Sequence, residues 1–274
     1  VNFAPVLDMA VNPDNPIIAK VERSFSANED TVAWMAAAFI EEHRKVGVIT
    51  SLKHFPGHGS SKDDTHLGVA DVTKTWSERE LEPYKKLIDS GNIDAVMSAH
   101  IVNKELDKSG LPGTLSRDIL DGILRKKLGF DGVVFSDDMQ MHAITKNYGF
   151  EESIKLAINA GIDILVFSNN IAQSEERTVD KVHQIIRNYV KQGDISEARI
   201  DESFRRIMKL KYRLDHNAGD TFANELAVAN QHIRTLEENV KQLQATEEKI
   251  VDTISSEKSE QLLSTKKKKK SRKK

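Results

Sequence analysis

Short apolar segments alternate with longer amphipathic segments along most of this chain of 274 residues. Apolar runs predict strands over residues 1–7, 48–52, 94–98, 132–135 and 162–167. Helical spacing predicts helices over residues 31–46, 78–90, 117–128, 151–160, 175–191 and 196–214. Strands that alternate with helices of this length are typical of βαβ units, so we predict an α/β fold with a parallel sheet.

Polar side chains recur directly after the predicted strands. Lys53 and His54 follow one strand, His100 follows the next, and Asp137 follows a third. In a (β/α)8 barrel the loops at the carboxyl ends of the strands build the active site. A doubly wound open sheet usually carries a glycine-rich turn after its first strand, and no Gly-x-Gly-x-x-Gly sequence is present. We therefore predict a (β/α)8 TIM-type barrel, incomplete because only five strands can be counted.

Two of the predicted helices carry distinctive apolar residues. The helix over 31–46 has Trp34, Ala38 and Phe39 on one side. The helix over 196–214 has a predicted barrel-packing face made of Ile200, Phe204, Ile207, Met208 and Leu210.

The C-terminal part of the chain differs in composition from the rest. We predict three parts: a partial barrel over residues 1–215, a helical segment over 216–265 and a disordered basic tail over 266–274. Between Leu226 and Ile254, apolar residues recur at spacings of three and four, which is a heptad pattern typical of a coiled coil. This helix either self-associates or packs along the barrel, because heptad apolarity alone does not name the partner.

Composition limits the partners. The eight basic residues of the tail carry +8 and the whole chain carries −2, so the remaining 265 residues carry −10. An acidic body argues against a nucleic-acid-binding surface.

The chain has no cysteine, which excludes disulfides and thiolate metal sites. No apolar run is long enough to span a bilayer. Because the chain begins at Val1 inside an apolar run, we expect a natural protein with residues upstream.

The densest polar chemistry lies between Lys53 and His66. The sequence Lys-His-Phe-Pro-Gly-His-Gly starts at Lys53, and Asp64-Thr65-His66 follows it. A carboxylate beside an imidazole orients the ring and supports its charged form, so Asp64 and His66 are a candidate acid/base pair; the alternative is an ordinary surface loop. His54, His58 and His66 could also hold a zinc ion. We expect no metal, because Lys53 would repel a cation and no His-Glu-x-x-His spacing is present.

Asp137 and Asp138 directly follow the predicted strand that ends at Phe135. A carboxylate at this position of a barrel faces substrate, so Asp137 is a candidate reacting group. The alternative is that these carboxylates cap the next helix. One aspartate can also cap while the other reacts.

Four motifs occur in a fixed order along the chain: Phe3-Ala4-Pro5-Val6-Leu7-Asp8, Lys53 through Gly59, Asp64-Thr65-His66, and Phe135-Ser136-Asp137-Asp138-Met139. Together they resemble glycoside hydrolase family 3, and in particular its bacterial β-N-acetylglucosaminidase (β-hexosaminidase) branch. The resemblance covers about residues 1–214. Thr65 stands where this branch often has serine.

The resemblance implies a retaining hydrolase that removes terminal β-linked N-acetylglucosamine from peptidoglycan-derived or related sugars. By position, Asp137 is the nucleophile that forms a covalent glycosyl-enzyme, and His66, oriented by Asp64, is the general acid and then the base. No cofactor is implied, and the partner is a small carbohydrate. The compartment stays open between the bacterial cytoplasm and the periplasm.

The resemblance also assigns substrate-binding positions. Lys53, His54 and Arg23 align with positions that bind sugar, and His100 and Met141 align with positions that line the pocket.

The chain departs from the family at its beginning. Family members have two barrel strands before the Phe-Ala-Pro strand, including a Glu-Gly-Gly-x-Val-x-Arg-like run, and neither occurs here. We therefore expect an N-terminally truncated barrel. The alternatives are a β-glucosidase or phosphorylase of the same family, and an inactive carbohydrate-binding or self-associating fragment.

Overall fold

A computed structural model describes residues 1–63, 68–168 and 178–217, together with the single residues Gln231, Glu238 and Lys241. The chain divides into two units, Val1–Thr221 and Phe222–Lys274. The predicted heptad segment and basic tail lie almost wholly outside the described residues, so both stay predictions. Among the described residues, no helix is long and apolar enough to cross a membrane.

The first unit alternates strands and helices as predicted. In chain order its elements are α1 (Glu29–Lys45), β1 (Ser51–Phe55), β2 (Ala70–Asp71), α2 (Glu82–Asp89), β3 (Ala95–Ser98), β4 (Ile101–Val102), β5 (Val133–Asp138), α3 (His142–Tyr148), α4 (Phe150–Ala160), β6 (Ile164–Val166), α5 (Thr178–Gln192) and α6 (Glu197–Asn217). A π-type helix spans Asp118–Lys127, and short 3-10 turns lie at Glu78–Leu81 and Gly113–Leu115.

The central sheet is parallel throughout. Its four strands lie in the order β1-β3-β5-β6, and β2 pairs with β4 in a separate two-stranded parallel sheet. The first residues of the chain run alongside β1, where Asn2 bridges to Thr50 and Val6 bridges to Lys53, both in parallel. The α/β class with a parallel sheet is therefore confirmed. Closure into a (β/α)8 barrel stays a prediction.

The first predicted strand beyond the N-terminus lies three residues later than expected. Lys53 and His54 are inside β1 rather than after it. The cause is pairing with the N-terminal segment, since the backbone N–H of Lys53 donates to the Pro5 carbonyl at 3.2 Å and its carbonyl accepts from Leu7 at 2.7 Å. These hydrogen bonds extend the strand into the polar motif.

The two faces of the sheet pack against different partners, because successive strand residues point to opposite sides. Leu52, Val96 and Val134 belong to the large core that includes the helices α1, α2 and α4. Ala95, Met97, Val133 and Phe135 face the other way, and Ile207 and Leu210 of α6 pack against this second set.

The apolar sides named from the sequence for the helices α1 and α6 are buried only in part. On α1 the buried residues are Val32, Ala33, Ala36 and Ile40, and the side chain of Trp34 is 70% exposed. On α6, Ile207 and Leu210 pack against the sheet as expected, but Phe204 and Met208 are exposed. The helix contacts the sheet along a narrower stripe than its apolar residues suggest.

A buried ionic cluster holds the start of β6. Asp163 has a wholly buried carboxylate that meets Arg125 at 2.8 Å, Arg199 at 3.2 Å and Arg206 at 3.5 Å. It also accepts hydrogen bonds from the Val134 backbone and from Ser203. The cluster joins β5, β6, α6 and the π-type helix at one point.

Candidate active site

The carboxyl ends of three neighbouring parallel strands bring the predicted polar residues to one edge of the sheet. Lys53 and His54 lie on β1, His100 follows β3, and Asp137 lies on β5. Since β3 pairs with both β1 and β5, these side chains converge although up to 84 positions of sequence separate them. Lys53, His54, His100 and Asp137 therefore lie at the same edge of the sheet, and their role as site residues stays a prediction.

Asp137 is the carboxylate at the centre of this edge. Burial alone would raise its pKa, but the electrostatic effects of His100, His54 and Lys53 and a backbone hydrogen bond from Asp138 at 2.8 Å outweigh burial. The pKa of Asp137 is therefore held below its usual value. The group is a carboxylate at neutral pH, which is the form that a nucleophile or an electrostatic stabiliser requires.

Asp8 is a buried carboxylate that we did not predict as a site residue. It accepts from the His54 ring at Nδ1 (2.6 Å), from the His54 backbone N–H (3.2 Å) and from the His58 backbone N–H (2.7 Å). A carboxylate only accepts, so the His54 proton lies on Nδ1, and in the neutral ring Nε2 is left as an acceptor. Asp8 therefore fixes both the orientation and the tautomer of His54.

Asp8 and His58 both have shifted pKa values. Burial alone would raise the pKa of Asp8, but the electrostatic effect and the hydrogen bond of His54 and the contact with His58 hold this pKa below its usual value. Burial lowers the pKa of His58 to about 4, so its ring is neutral at neutral pH. The sequence signals for Asp8 were its position at the end of the apolar run over residues 1–7 and its place as the last residue of the Phe3–Asp8 motif.

Lys53 and Arg23 lie near each other on one side of the site. Burial and the charge of Arg23 lower the pKa of Lys53, while Asp137 and Asp8 partly offset this effect. The Arg23 guanidinium donates to the Ile17 carbonyl at 2.9 Å, which holds it beside the turn that precedes α1. The two cations and two carboxylates form a charged cluster, and such groups hydrogen-bond hydroxyl groups.

His100 and Met141 both contact the backbone of Asp138. The buried His100 ring donates from Nε2 to the Asp138 carbonyl at 2.9 Å, and burial lowers the pKa of this ring. The Met141 backbone N–H donates to the same carbonyl at 3.0 Å. Met141 is buried at the start of α3.

The carboxylate of Asp138 has a different role from that of Asp137. It accepts from the backbone N–H groups of Gln140 (3.0 Å) and Ser168 (3.2 Å), and the Ser168 hydroxyl also donates to it. Asp138 therefore ties the end of β5 to the end of β6. The next helix, α3, has Met141 as its N-cap and no side-chain cap hydrogen bond. The alternative in which these carboxylates cap the next helix is therefore wrong.

Asp64 and His66 lie outside the described residues, so their pairing stays a prediction. The zinc alternative includes His66 and stays untested for the same reason. Among the residues that are described, no group of three or more His, Cys, Asp and Glu side chains could hold a metal ion.

Comparisons with known proteins find similar chains among glycoside-processing enzymes. A β-hexosaminidase of Tolumonas auensis is 40% identical over 174 residues, which is 62% of this chain and 50% of that protein. The structure of a glycoside hydrolase family 3 β-N-acetylglucosaminidase from Paenibacillus sp. str. FPU-7 matches with a TM-score of 0.72 and 37% identity, over 80% of this chain and 40% of that one. A β-glucoside phosphorylase bound to 2FGlc matches with a TM-score of 0.67 and 28% identity, over 78% and 38%.

The chain spans about half the length of the β-hexosaminidases that it matches. The family match covers more of it, since residues 1–210 match the Glycosyl hydrolase family 3 N terminal domain. Together with the parallel sheet described above, this match identifies the chain as a member of glycosyl hydrolase family 3.

Proposed function

We propose that this chain carries the active site of a retaining glycoside hydrolase that removes terminal β-linked N-acetylglucosamine from peptidoglycan-derived or related sugars. The observation that carries the proposal is the environment of Asp137, a carboxylate whose pKa is held low by His100, His54 and Lys53 at the carboxyl edge of a parallel sheet. The names of the similar proteins, β-hexosaminidase and β-N-acetylglucosaminidase, support the choice of sugar.

In the proposed mechanism a carboxylate oxygen of Asp137 attacks the anomeric carbon, and the bond from that carbon to the leaving oxygen breaks. His66, oriented by Asp64, gives its proton to the leaving oxygen. Water then attacks the glycosyl ester, His66 takes a proton from it, and Asp137 leaves as a carboxylate. Two displacements at one carbon retain the configuration.

The remaining residues would bind the sugar. Lys53, His54 and Arg23 are proposed to hold hydroxyl groups, with His100 and Met141 lining the pocket. The tautomer of His54 supports this role, because the Asp8 contact leaves Nε2 to accept a hydroxyl proton. We also propose a partial barrel over residues 1–215, a helical heptad segment over 216–265 that can self-associate, and a disordered basic tail over 266–274.

The test of the nucleophile is Asp137→Ala, assayed with an aryl β-N-acetylglucosaminide. We expect the rate to fall by about 10³-fold or more. Added azide should restore turnover of the activated substrate and yield the α-configured glycosyl azide, because azide takes the place of the missing carboxylate. Asp131→Asn, an exposed aspartate before the same strand, is the control. Undiminished hydrolysis by Asp137→Ala would refute the mechanism.

The test of His66 uses two leaving groups. A general acid matters less when the leaving group is already a weak base. We therefore expect His66→Ala to lose most of its rate on a methylumbelliferyl or alkyl glycoside and to lose little in the first step on a dinitrophenyl glycoside. Equal losses on both substrates would remove His66 from the acid role.

The match to a β-glucoside phosphorylase favours the phosphorylase alternative. The same match supports the β-glucosidase alternative, because the name of that protein gives a β-glucoside as its substrate. Turnover of glucoside and N-acetylglucosaminide, each with and without phosphate, separates the three activities. A phosphorylase releases a sugar 1-phosphate. Calorimetric binding of N-acetylglucosamine without any turnover would instead support the inactive carbohydrate-binding fragment, and a monomer in sedimentation would remove self-association.

A further inference from the structure

The turn after β1, residues 56–61, is held by side chains that come from other segments of the chain. The Trp76 ring donates from Nε1 to the Pro56 carbonyl at 3.1 Å, and Asn12 donates from Nδ2 to the Ser61 carbonyl at 2.7 Å. Asp8 accepts from the His58 backbone N–H at 2.7 Å. The turn has little secondary structure of its own, so these contacts set its conformation.

Asn15 makes the most complete of these contacts. Its Nδ2 donates to the carbonyls of His58 (2.7 Å) and Gly59 (3.0 Å). Its Oδ1 accepts from the backbone N–H groups of Ile17 and Ile18, both at 3.0 Å. The side chain is fully buried, and both donors of the amide and both acceptor positions of its oxygen are in use.

Glu80 approaches the same turn from another direction. Its Oε2 accepts from the Gly59 backbone N–H at 2.9 Å, and the residue is 1% exposed. The turn packs closely on it, since a Cβ added to Gly57 would lie 2.6 Å from the Glu80 Cβ. Only glycine allows this approach, and the φ of +120° at Gly57 also favours glycine.

Asn15 and Glu80 therefore bind opposite sides of one peptide unit. The carbonyl of His58 and the N–H of Gly59 belong to the same planar group, in which they point in opposite directions. Asn15 binds the carbonyl and Glu80 binds the N–H. With both ends bound, this peptide plane cannot rotate without breaking a buried hydrogen bond.

We infer that Asn15 and Glu80 are positioning residues for the hydrolytic site, because they hold the peptide that directly follows His58, and the His58 N–H donates to Asp8. This inference rests on the proposed function. A displacement of the His58–Gly59 peptide would shift the α-carbon of His58 and with it the His58 N–H that Asp8 accepts, and Asp8 is the group that orients His54. A misplacement of about 1 Å at such a site costs about 10²-fold in rate.

The protonation of Glu80 is compatible with this role. Burial raises its pKa to about 7, so the group is both acid and carboxylate near neutral pH. Either form has an oxygen that accepts from Gly59, and a glutamine amide has one as well. Glu80→Gln is therefore the conservative variant and Glu80→Ala is the disruptive one.

The experiment measures kcat and KM for an aryl β-N-acetylglucosaminide in the intact protein, corrected for the folded fraction. We expect Asn15→Asp to lower kcat/KM by about 10²-fold, since a carboxylate would repel the two carbonyls that Nδ2 now binds. Glu80→Ala should show a loss of similar size, and Glu80→Gln should stay within roughly threefold of the wild type. Asn28→Ala is the matched control, because Asn28 caps α1 far along the chain from the turn and its loss should lower stability alone.

A second readout does not depend on turnover. The hydrogen-bonded Nδ1 proton of His54 should give a low-field NMR signal, assigned by its absence in His54→Gln. We expect Asn15→Asp and Glu80→Ala to shift or broaden this signal, and Glu80→Gln and Asn28→Ala to leave it in place.

The two readouts separate the possible failures. If the wild type hydrolyses no N-acetylglucosaminide, the proposed function fails and the NMR signal alone decides the positioning role. If the signal and the corrected kcat are unchanged in Asn15→Asp and Glu80→Ala, the inference is wrong. Equal effects of Glu80→Gln and Glu80→Ala would also overturn the role of the Glu80 acceptor.

Discussion

The raised pKa of Glu80 predicts how the stability of the protein changes with pH. Burial raises this pKa from 4.5 to about 7 in the folded chain. The folded state therefore binds a proton that the unfolded state releases between these values. The stability from this group is fully present below about pH 4.5 and is lost as pH rises through about 7.

The size of the effect follows from the two pKa values. They differ by about 2.5 pH units, and each unit corresponds to about 1.4 kcal/mol, so the full amplitude is about 3 kcal/mol. Most of it, about 2–3 kcal/mol, falls between pH 5 and pH 8.5. Glu80→Gln titrates in neither state. The free energy of unfolding of this variant, relative to the wild type, should thus rise by about that amount between the two pH values.

The assay is urea unfolding at pH 5 and pH 8.5, followed by tryptophan fluorescence. The chain has two tryptophans, Trp34 and Trp76, and both lie in the unit Val1–Thr221. The control is Glu82→Gln, the same substitution two residues along, at a half-buried position at the start of α2. A difference between Glu80→Gln and the wild type that is the same at both pH values, or that falls with rising pH, would refute the reasoning.

Three further substitutions test the packing around the site. Asp8→Ala leaves three buried donors of His54 and His58 without their acceptor, so we expect a loss of about 3–5 kcal/mol in urea unfolding together with a fall in kcat/KM; wild-type stability would contradict this. Gly59→Ala would place a Cβ 1.9 Å from the Met9 carbonyl oxygen, so we expect the free energy of unfolding in urea to fall by about 1–3 kcal/mol. Gly68→Ala is the control, because its Cβ would meet no described atom within 4 Å, and it should change the free energy of unfolding by less than about 0.5 kcal/mol. Asp163→Asn removes the charge that three arginines share and should cost about 3–5 kcal/mol of stability with kcat unchanged in the folded fraction; an equal drop in kcat would instead connect this cluster to the site.

Local patterns in the sequence predicted the type and order of most elements. The helix α1 was expected over 31–46 and spans Glu29–Lys45, and the strand that carries Asp137 was expected over 132–135 and spans Val133–Asp138. Strand and helix periodicities are properties of neighbouring residues, so a single sequence carries them. The helix α3 and the short strands β2 and β4 were missed, because two to seven residues carry too little periodicity.

Patterns could not decide which face of a helix is buried when apolar residues occur on more than one side. The large aromatic Trp34 lies on the exposed side of α1, while the small Ala36 is buried. Burial depends on which helix lies alongside, and α2 is 37 positions further along the chain. Residue type alone does not contain that information.

The sequence by itself determined which polar residue types lie at the candidate site. The positions of Lys53, His54, His100 and Asp137 at or just after strands were enough to predict that they lie at one edge of the sheet. The tertiary structure decided which groups hold these side chains in place. Asp8 meets His54 across 46 positions, and Asn15 meets His58 across 43. The physical reason is that a buried carboxylate or amide is defined by the groups that the fold brings to it, and those contacts have no local signature in the chain.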